Sequence, residues 1–444
     1  MAGIRLERGE KVPLIGGETV TVVGELGTGG QGIVYRVRMD KTGEEKALKW
    51  YFPSKLKNAD KFYERLRDKN IPKGAPSDAF VWPEALTSWY KGTFGYVMKL
   101  YPEGYAGFPY YLLGTKRFDS ENALINAALN IVTAFHHLHV KGWNYQDLND
   151  GNFAFEPHNG DVFICDNDNV VGHGEYSGIL GKERYMAPEI VRGESEPNKQ
   201  TDRYSLAVIL FMLFTHNHPL EGERTVVTPF RKKHIKEFFG NKPVFVHDPK
   251  DASNRPRPDL HKGAKKFWQY FPEFLKEAFF KSFSKESLYK AEGRLLEKQW
   301  IHVFMRLKSS LVECPYCHDT IHAESSKSTV CPNCKKNIPI SAHLKFPNRT
   351  DTEINLPLFK GVKLYSYHIN DNQLDSAGYN REAAEVMISK SGKIGLKNKT
   401  NDTWKISAPN GQTAAKGPND IVVLGIGFKI DFGHNIVAEV VANN

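Results

Sequence analysis

Hydrophobic positions along this chain change period several times. Between about Glu18 and Leu100 they read mostly as strands: Thr19–Val23 and Gly32–Val37 are β-branched runs on either side of a glycine turn, and Glu45–Tyr51 is a further strand. Asn58 to Asp68 has helical spacing until Pro72 closes it. From Ser120 the character changes. Leu124, Ile125, Ala128, Leu129, Val132, Phe135 and Leu138 recur at helical intervals and predict a buried helix over Asn122–His139. Phe153–Phe155 and Val162–Cys165 bracket an Asn159-Gly160-Asp161 turn and predict a hairpin. Helices then dominate to about Leu311. After Pro347, short runs at Glu385–Ser389, Lys393–Leu396, Ile421–Leu424, Lys429–Phe432 and Ile436–Val441 lie between Gly and Asn turns and predict a small all-β sandwich.

Composition narrows the class. A chain of 444 residues, 40% hydrophobic and 25% charged, has room for two or three soluble domains. The longest apolar run, Leu206 to Phe214, is far short of the ~20 residues of a membrane span. It reads as a buried helix. The first residues, MAGIRLERGEKVPLIGG, contain no apolar run, so the expectation is no signal peptide, no membrane and a cytoplasmic location. The net charge of +9 includes Arg231-Lys232-Lys233-His234 and a Lys-rich stretch from Lys390 to Lys399. Solvated faces explain it, and so does attraction to nucleic acid, acidic protein or anionic lipid; charge alone leaves the choice open.

The chemistry concentrates in Tyr145-Gln146-Asp147-Leu148-Asn149-Asp150-Gly151-Asn152, followed fourteen residues later by Asp166. A carboxylate, an Asn five positions on and a second carboxylate after a hairpin suit a magnesium–ATP phosphoryl-transfer site, with one acid as base and the other two residues as metal ligands. Upstream, Gly27-Thr28-Gly29-Gly30-Gln31-Gly32-Ile33-Val34 lets backbone approach phosphates closely. A strand follows it where a dinucleotide fold would need a helix. Lys49 sits in the apolar strand Ala47-Leu48-Lys49, where a buried ammonium needs an anion. Glu64 in the next helix is the candidate partner, or else an ordinary surface glutamate.

In this order the motifs resemble the protein kinase superfamily from roughly Thr19 to Leu307. Tyr185-Met186-Ala187-Pro188-Glu189 matches the family's APE segment, Asp202-Arg203-Tyr204-Ser205-Leu206 the helix whose Asp anchors the catalytic loop, and Arg294 the late arginine that pairs with Glu189. The resemblance implies a bilobal α+β fold over residues 15–308, with lobes at about 15–100 and 101–308. It implies that Gly27, Gly29 and Gly32 cover the phosphates of ATP, Val34 and Ala47 sandwich adenine, Met98 is the gatekeeper and Leu100 a backbone adenine contact. Lys49, braced by Glu64, grips the α/β-phosphates; Asp147 is the catalytic base; Asn152 and Asp166 hold Mg²⁺. In style the chain resembles the bacterial eukaryotic-like Ser/Thr protein kinases, which implies a protein substrate, signalling partners and a metal-dependent phosphatase. The unusual stretch between Gly222 and Lys285 resembles the same subgroup and reads as a docking surface or a packing insert.

The departures are specific. His-Arg-Asp reads Tyr145-Gln146-Asp147, so the link from a phosphorylated activation loop is missing and activity should not require that phosphorylation. Asp-Phe-Gly reads Asp166-Asn167-Asp168, which removes the apolar wedge. Asn149 and Lys182 stand where the family keeps Lys and Thr, and Lys182 reads as the replacement for the lost positive charge or as a solvated loop residue. A nucleotide-binding pseudokinase scaffold recruiting partners through its C-terminal domains is the alternative. Phosphorylation of a small molecule or nucleic-acid-linked acceptor is a third reading.

Cys314-Pro315-Tyr316-Cys317 and Cys331-Pro332-Asn333-Cys334 have the spacing of two knuckles of a closed structural Zn²⁺ site, predicting a zinc ribbon over 312–340. Cys165 stands apart and reads as a packed strand residue. The tail, 353–444, loosely resembles a forkhead-associated sandwich. That family's phosphothreonine-reading pattern survives here only as Tyr379-Asn380-Arg381-Glu382, so a partner-docking or structural role is expected.

Overall fold

A computed structural model describes residues 4–56, 58–323, 329–347, 354–370 and 372–442; Met1 to Gly3 of the opening segment and Glu353, the expected start of the tail, lie outside the described residues. The first hundred residues build an antiparallel sheet from β1 (Lys11–Pro13), β2 (Thr19–Thr28), β3 (Gly32–Met39), β4 (Glu45–Tyr51), β5 (Ala85–Leu86) and β6 (Gly95–Met98), in the order β1-β2-β3-β4-β6-β5. Side chains alternate across a strand. Val20, Val22, Ile33, Tyr35, Val37, Leu48 and Trp50 therefore share one buried face, while Ala47, Lys49 and Tyr51 point the other way. Helix α1 (Ala59–Arg65) packs beside this sheet and runs on into a wider turn at Leu66–Asn70.

The following half is mainly helical. Helix α2 (Glu121–Val140) begins where Ser120 Oγ accepts the Ala123 N–H at 3.1 Å. The hairpin is formed by β7 (Phe153–Phe155) and β8 (Val162–Ile164), with Val162 opposite Phe155 and Ile164 opposite Phe153. After α3 (Pro188–Arg192) comes α4 (Lys199–Thr215), capped by Asn198 and buried almost all round, as its unbroken apolar run demands. Helices α5 (Glu273–Ser282) and α6 (Glu297–Ser309) close this core.

Beyond α6 are two short hairpins, β9 (Leu311–Glu313) with β10 (Thr320–His322) and β11 (Thr329–Val330) with β12 (Asn337–Ile338). The tail comprises β13 (Ala342–Lys345), β14 (Asn355–Pro357), β15 (Lys363–Tyr365), β16 (Glu382–Ile388), β17 (Ile394–Asn398), β18 (Trp404–Ser407), β19 (Thr413–Lys416), β20 (Ile421–Val423), β21 (Lys429–Asp431) and β22 (Val437–Ala442). They form two antiparallel sheets, β14-β13-β22-β21-β18-β19 and β15-β16-β17-β20. One expectation changes here. The sheet begins before Pro347, because β13 pairs with the final strand, Leu344 opposite Val440. A four-residue run is too short to show alternation by itself.

The tail packs on the helical half. Tyr379 meets Thr133 of α2 at 2.5 Å between hydroxyls, and Lys308 of α6 donates to Asn126 Oδ1 at 2.6 Å and to the Tyr379 carbonyl. Asn380 accepts from Asn126. Thus two residues of the Tyr379-Asn380-Arg381-Glu382 stretch are spent on the chain's own helices.

Candidate active site

The glycine turn joins β2 to β3 with Gly27 opposite Val34, and the Gly29 N–H donates to the Gly32 carbonyl at 2.9 Å. Gly32 is sterically required: a Cβ there would lie 2.1 Å from the Trp50 carbonyl oxygen. Around Gly27 and Gly30 the space is open, leaving backbone accessible to a ligand. Ala47 stands opposite Met98 across β4 and β6, so Val34, Ala47 and Met98 border the same face as Lys49; Ala47 is buried, while Val34, Met98 and Leu100, two residues past the end of β6, are half-buried.

Lys49 is buried with its Nζ 3.1 Å from Asp166 Oδ1, 2.9 Å from Asp168 Oδ2 and 3.3 Å from Gln31 Oε1. The expected brace from Glu64 is not formed: that side chain is exposed on α1. The neighbouring Arg65 turns inward instead and donates to the Asp168 carbonyl at 2.8 Å. Burial works against both charges of the Lys49–Asp168 pair, yet their attraction outweighs it, holding Lys49 above its ordinary value and Asp168 below. Tyr51, two residues on from Lys49 and so on the same strand face, donates to Asp168 Oδ2 at 2.5 Å. Sequence reasoning missed Asp168 and Tyr51. The signals were there, in a second Asp two after Asp166 and a Tyr at the i+2 position of an inward-facing strand.

Burial pushes the Asp147 carboxyl up to about 6, with the Lys182 ammonium pulling it down and the Asp166 charge adding to the rise. Asn149 Nδ2 donates to the Asp147 carbonyl at 3.0 Å, and Lys182 Nζ lies 3.6 Å from Asp150 Oδ1 on the same loop. Asn152 is buried; its Oδ1 accepts the Asn149 N–H at 3.0 Å, leaving a second lone pair. Its carbonyl accepts from Cys165 N at 2.7 Å, which ties the loop to Asp166. Asp166 has left-handed backbone (φ 56°) and a half-exposed carboxylate. The half-exposed Asp166 carboxylate and the buried Asn152 amide oxygen, with its spare lone pair, form a hard-oxygen donor set that fits Mg²⁺.

Asn167, in the wedge position, is fully buried and donates to the Val81 and Ile164 carbonyls at 2.8 and 2.7 Å. Asp202 takes the Tyr145 and Gln146 N–H groups at 2.7 and 3.0 Å, and Arg294 holds Glu189 by two 2.8 Å hydrogen bonds. Gln146 does not leave the activation segment unattached. Its Nε2 donates to the Glu175 and Pro197 carbonyls at 2.8 and 3.2 Å, and its Oε1 accepts the Ser177 N–H at 2.9 Å.

Far from this cleft, the ligand sulfurs of Cys314, Cys317, Cys331 and Cys334 lie within 4.8 Å of one another. Separations of 3.7 Å (Cys314–Cys334) and 3.6 Å (Cys317–Cys331) are too long for disulfides and suit four thiolates around one Zn²⁺. Cys165 is half-buried, and burial pushes its thiol up to about 12, as for a packed residue. Among the described residues no helix is long and apolar enough to cross a membrane.

Comparison with known proteins agrees with this geometry. The family model described as protein kinase domain matches residues 20–271. The chain is 28% identical over 216 residues to the serine/threonine-protein kinase AtPK2/AtPK19 of Arabidopsis thaliana, an alignment covering 48% of this chain and 44% of that one. It is 26% identical over 225 residues to rhodopsin kinase GRK1 of Rattus norvegicus (49% and 39%). To serine/threonine-protein kinase PrkC of Bacillus subtilis it is 28% identical over 138 residues (30% and 20%). The chain thus spans less than half the length of these relatives. With more than half of its residues matched by the family model and the cleft's acids, lysine and glycine turn assembled, the chain belongs to the protein kinase family.

Proposed function

We propose that this chain is an ATP- and Mg²⁺-dependent protein Ser/Thr kinase. The observation that carries the reading is the convergence on one cleft of Lys49, Asp166 and Asn152 with an Asp147 carboxyl tuned to about 6, near the working pH of a general base. Mg²⁺, when bound, supplies charge neutralisation at the phosphates. Lys49 grips the α/β-phosphates under the backbone of Gly27, Gly29 and Gly32; Val34, Ala47, Met98 and Leu100 border adenine; Asn152 and Asp166 supply the metal's protein oxygens. Asp147 takes the acceptor hydroxyl's proton, with Lys182 as the nearby cation for the moving phosphoryl charge. The survival of this whole set argues against the scaffold alternative. Transfer of labelled γ-phosphate to a generic protein by the wild type, and its loss in Asp147→Asn, tests the reading. Nucleotide binding without transfer refutes it.

The same reading assigns residues 15–308 to the kinase unit, 312–340 to a structural zinc ribbon and the tail to a forkhead-associated-like sandwich. Four clustered thiols support a reducing, cytoplasmic location. A protein substrate is supported by the likeness to the Bacillus subtilis serine/threonine-protein kinase PrkC, and bacterial signalling and a partner phosphatase extend the proposal.

A further inference from the structure

We infer that Asp168 is the positioning residue that fixes Lys49 for the nucleotide phosphates, a task that helix α1 leaves unfilled; the inference rests on the kinase reading of the cleft. Two carboxylates meet Lys49, and they differ in kind. Asp166 is half-exposed and turned to solvent, where a metal ion would engage it. Asp168 is 1% exposed, 2.9 Å from Lys49, and gripped from three sides. Tyr51 donates to its carboxylate at 2.5 Å, Arg65 to its carbonyl at 2.8 Å, and Asn167 beside it is pinned to the Val81 and Ile164 carbonyls. A buried ammonium needs a permanent counter-charge, and deleting one partner of such a pair is costly.

Helix α1 does not provide that charge. Glu64 is exposed, Arg65 occupies the inward position, and a cavity of about 390 Å³ with Tyr51, Phe62, Arg65 and Asp168 in its walls lies between α1 and the Asp168 turn. The metal ligand and the lysine's anchor are therefore two residues apart on one pinned turn. Of the groups that hold this turn, α1 supplies only Arg65, through the Asp168 carbonyl, and no counter-charge for Lys49.

The test is a double-mutant cycle on the full chain. It reads affinity for a non-hydrolysable ATP analogue with Mg²⁺ by calorimetry, and kcat and KM for γ-phosphate transfer. Lys49→Met should weaken the analogue about tenfold, but under twofold in an Asp168→Asn background, since interacting neighbours are non-additive. Glu64→Gln should stay within about twofold throughout. Tyr51→Phe keeps the packing, removes only the hydrogen bond to Asp168, and should lower kcat with KM for ATP little changed. A full tenfold cost of Lys49→Met without Asp168, Glu64→Gln reproducing the Asp168→Asn loss, or unchanged kcat in Tyr51→Phe overturns the inference. Analogue binding by the unaltered chain without transfer overturns the kinase reading alone, and the affinity cycle still decides Asp168; no binding overturns both.

Discussion

His139 Nε2 faces Asp202 Oδ2 at 3.2 Å in the interior, and its Nδ1 lies 2.8 Å from Glu297 Oε1, which Arg203 also contacts at 2.8 Å. Burial opposes the imidazolium, but the hydrogen bonds to Asp202 and Glu297 outweigh it and raise His139 above its ordinary value. For Glu297 burial is likewise outweighed, by His139 and Arg203, and the carboxyl falls to about 2. The His139 contribution is fully present below the unfolded value of about 6.5 and fades as pH rises through the folded one; that of Glu297 is present above about 4.5 and fades towards pH 2. Stability from this network should therefore be greatest between about pH 4.5 and 6.5. In His139→Gln the decline above that window should flatten, read as urea midpoint against pH. Parallel curves for the two proteins would falsify the assignment.

Asp147 acts as a base only when ionised, so kcat/KM should fall as pH drops through about 6. Lys182 lowers that value, and Lys182→Ala should move the acid limb upward while reducing turnover more than ATP affinity. The shift should shrink with added salt, because Lys182 is more than half exposed. An unmoved limb rules this arrangement out.

Gln146 makes three neutral hydrogen bonds to the activation segment and its surroundings, each worth about 1 kcal/mol. Protein dephosphorylated in this segment should keep full activity. In Gln146→Ala, limited proteolysis should cut faster between residues 173 and 183. Loss of activity on dephosphorylation counts decisively against a phosphate-independent clamp.

The two ribbon hairpins have strands of only two or three residues and lean on the main core through Val312, Ile321 and Ile338, so metal binding should supply much of their remaining folding energy. Purified chain should carry one Zn²⁺. Chelation, or Cys317→Ser, should raise hydrogen exchange at residues 311–323 and 329–340 before the α2 amides respond. Metal-free protein with unchanged protection there defeats the prediction.

Tyr379, fully buried between Thr133 and Lys308, should make the tail and helical half unfold together. Tyr379→Ala should cost about 3–5 kcal/mol in both, followed by exchange mass spectrometry through a denaturant series. Two separate transitions in the wild type would show independent units.

What the sequence disclosed depended on range. The Asp147–Asn152 spacing, the hairpin before Asp166 and the β-strand patterning are local, and they appear at their expected places. The Glu189–Arg294 pair spans 105 residues but was legible because each partner sits in its own motif. Glu64 was not legible. Tyr63, Leu66 and Asn70 take the inward face beyond α1's start, and one step of about 100° in helical phase exchanges Glu64 for Arg65. Gln146 was read as a loss, since its amide bonds depend on where residues 175–197 return. Nor could the sequence foretell that Tyr379 contacts a threonine 246 positions away.

That last contact has a genealogical consequence. Asn126, Thr133 and Lys308 on one side, and Tyr379 and Asn380 on the other, form a shared inventory of hydrogen bonds that neither side can revise alone. A change at one should survive in descendants chiefly when matched at the other. The heritable unit is then lobe plus tail, and shuffling in a foreign tail would leave the buried Lys308 with the Asn126 oxygen alone.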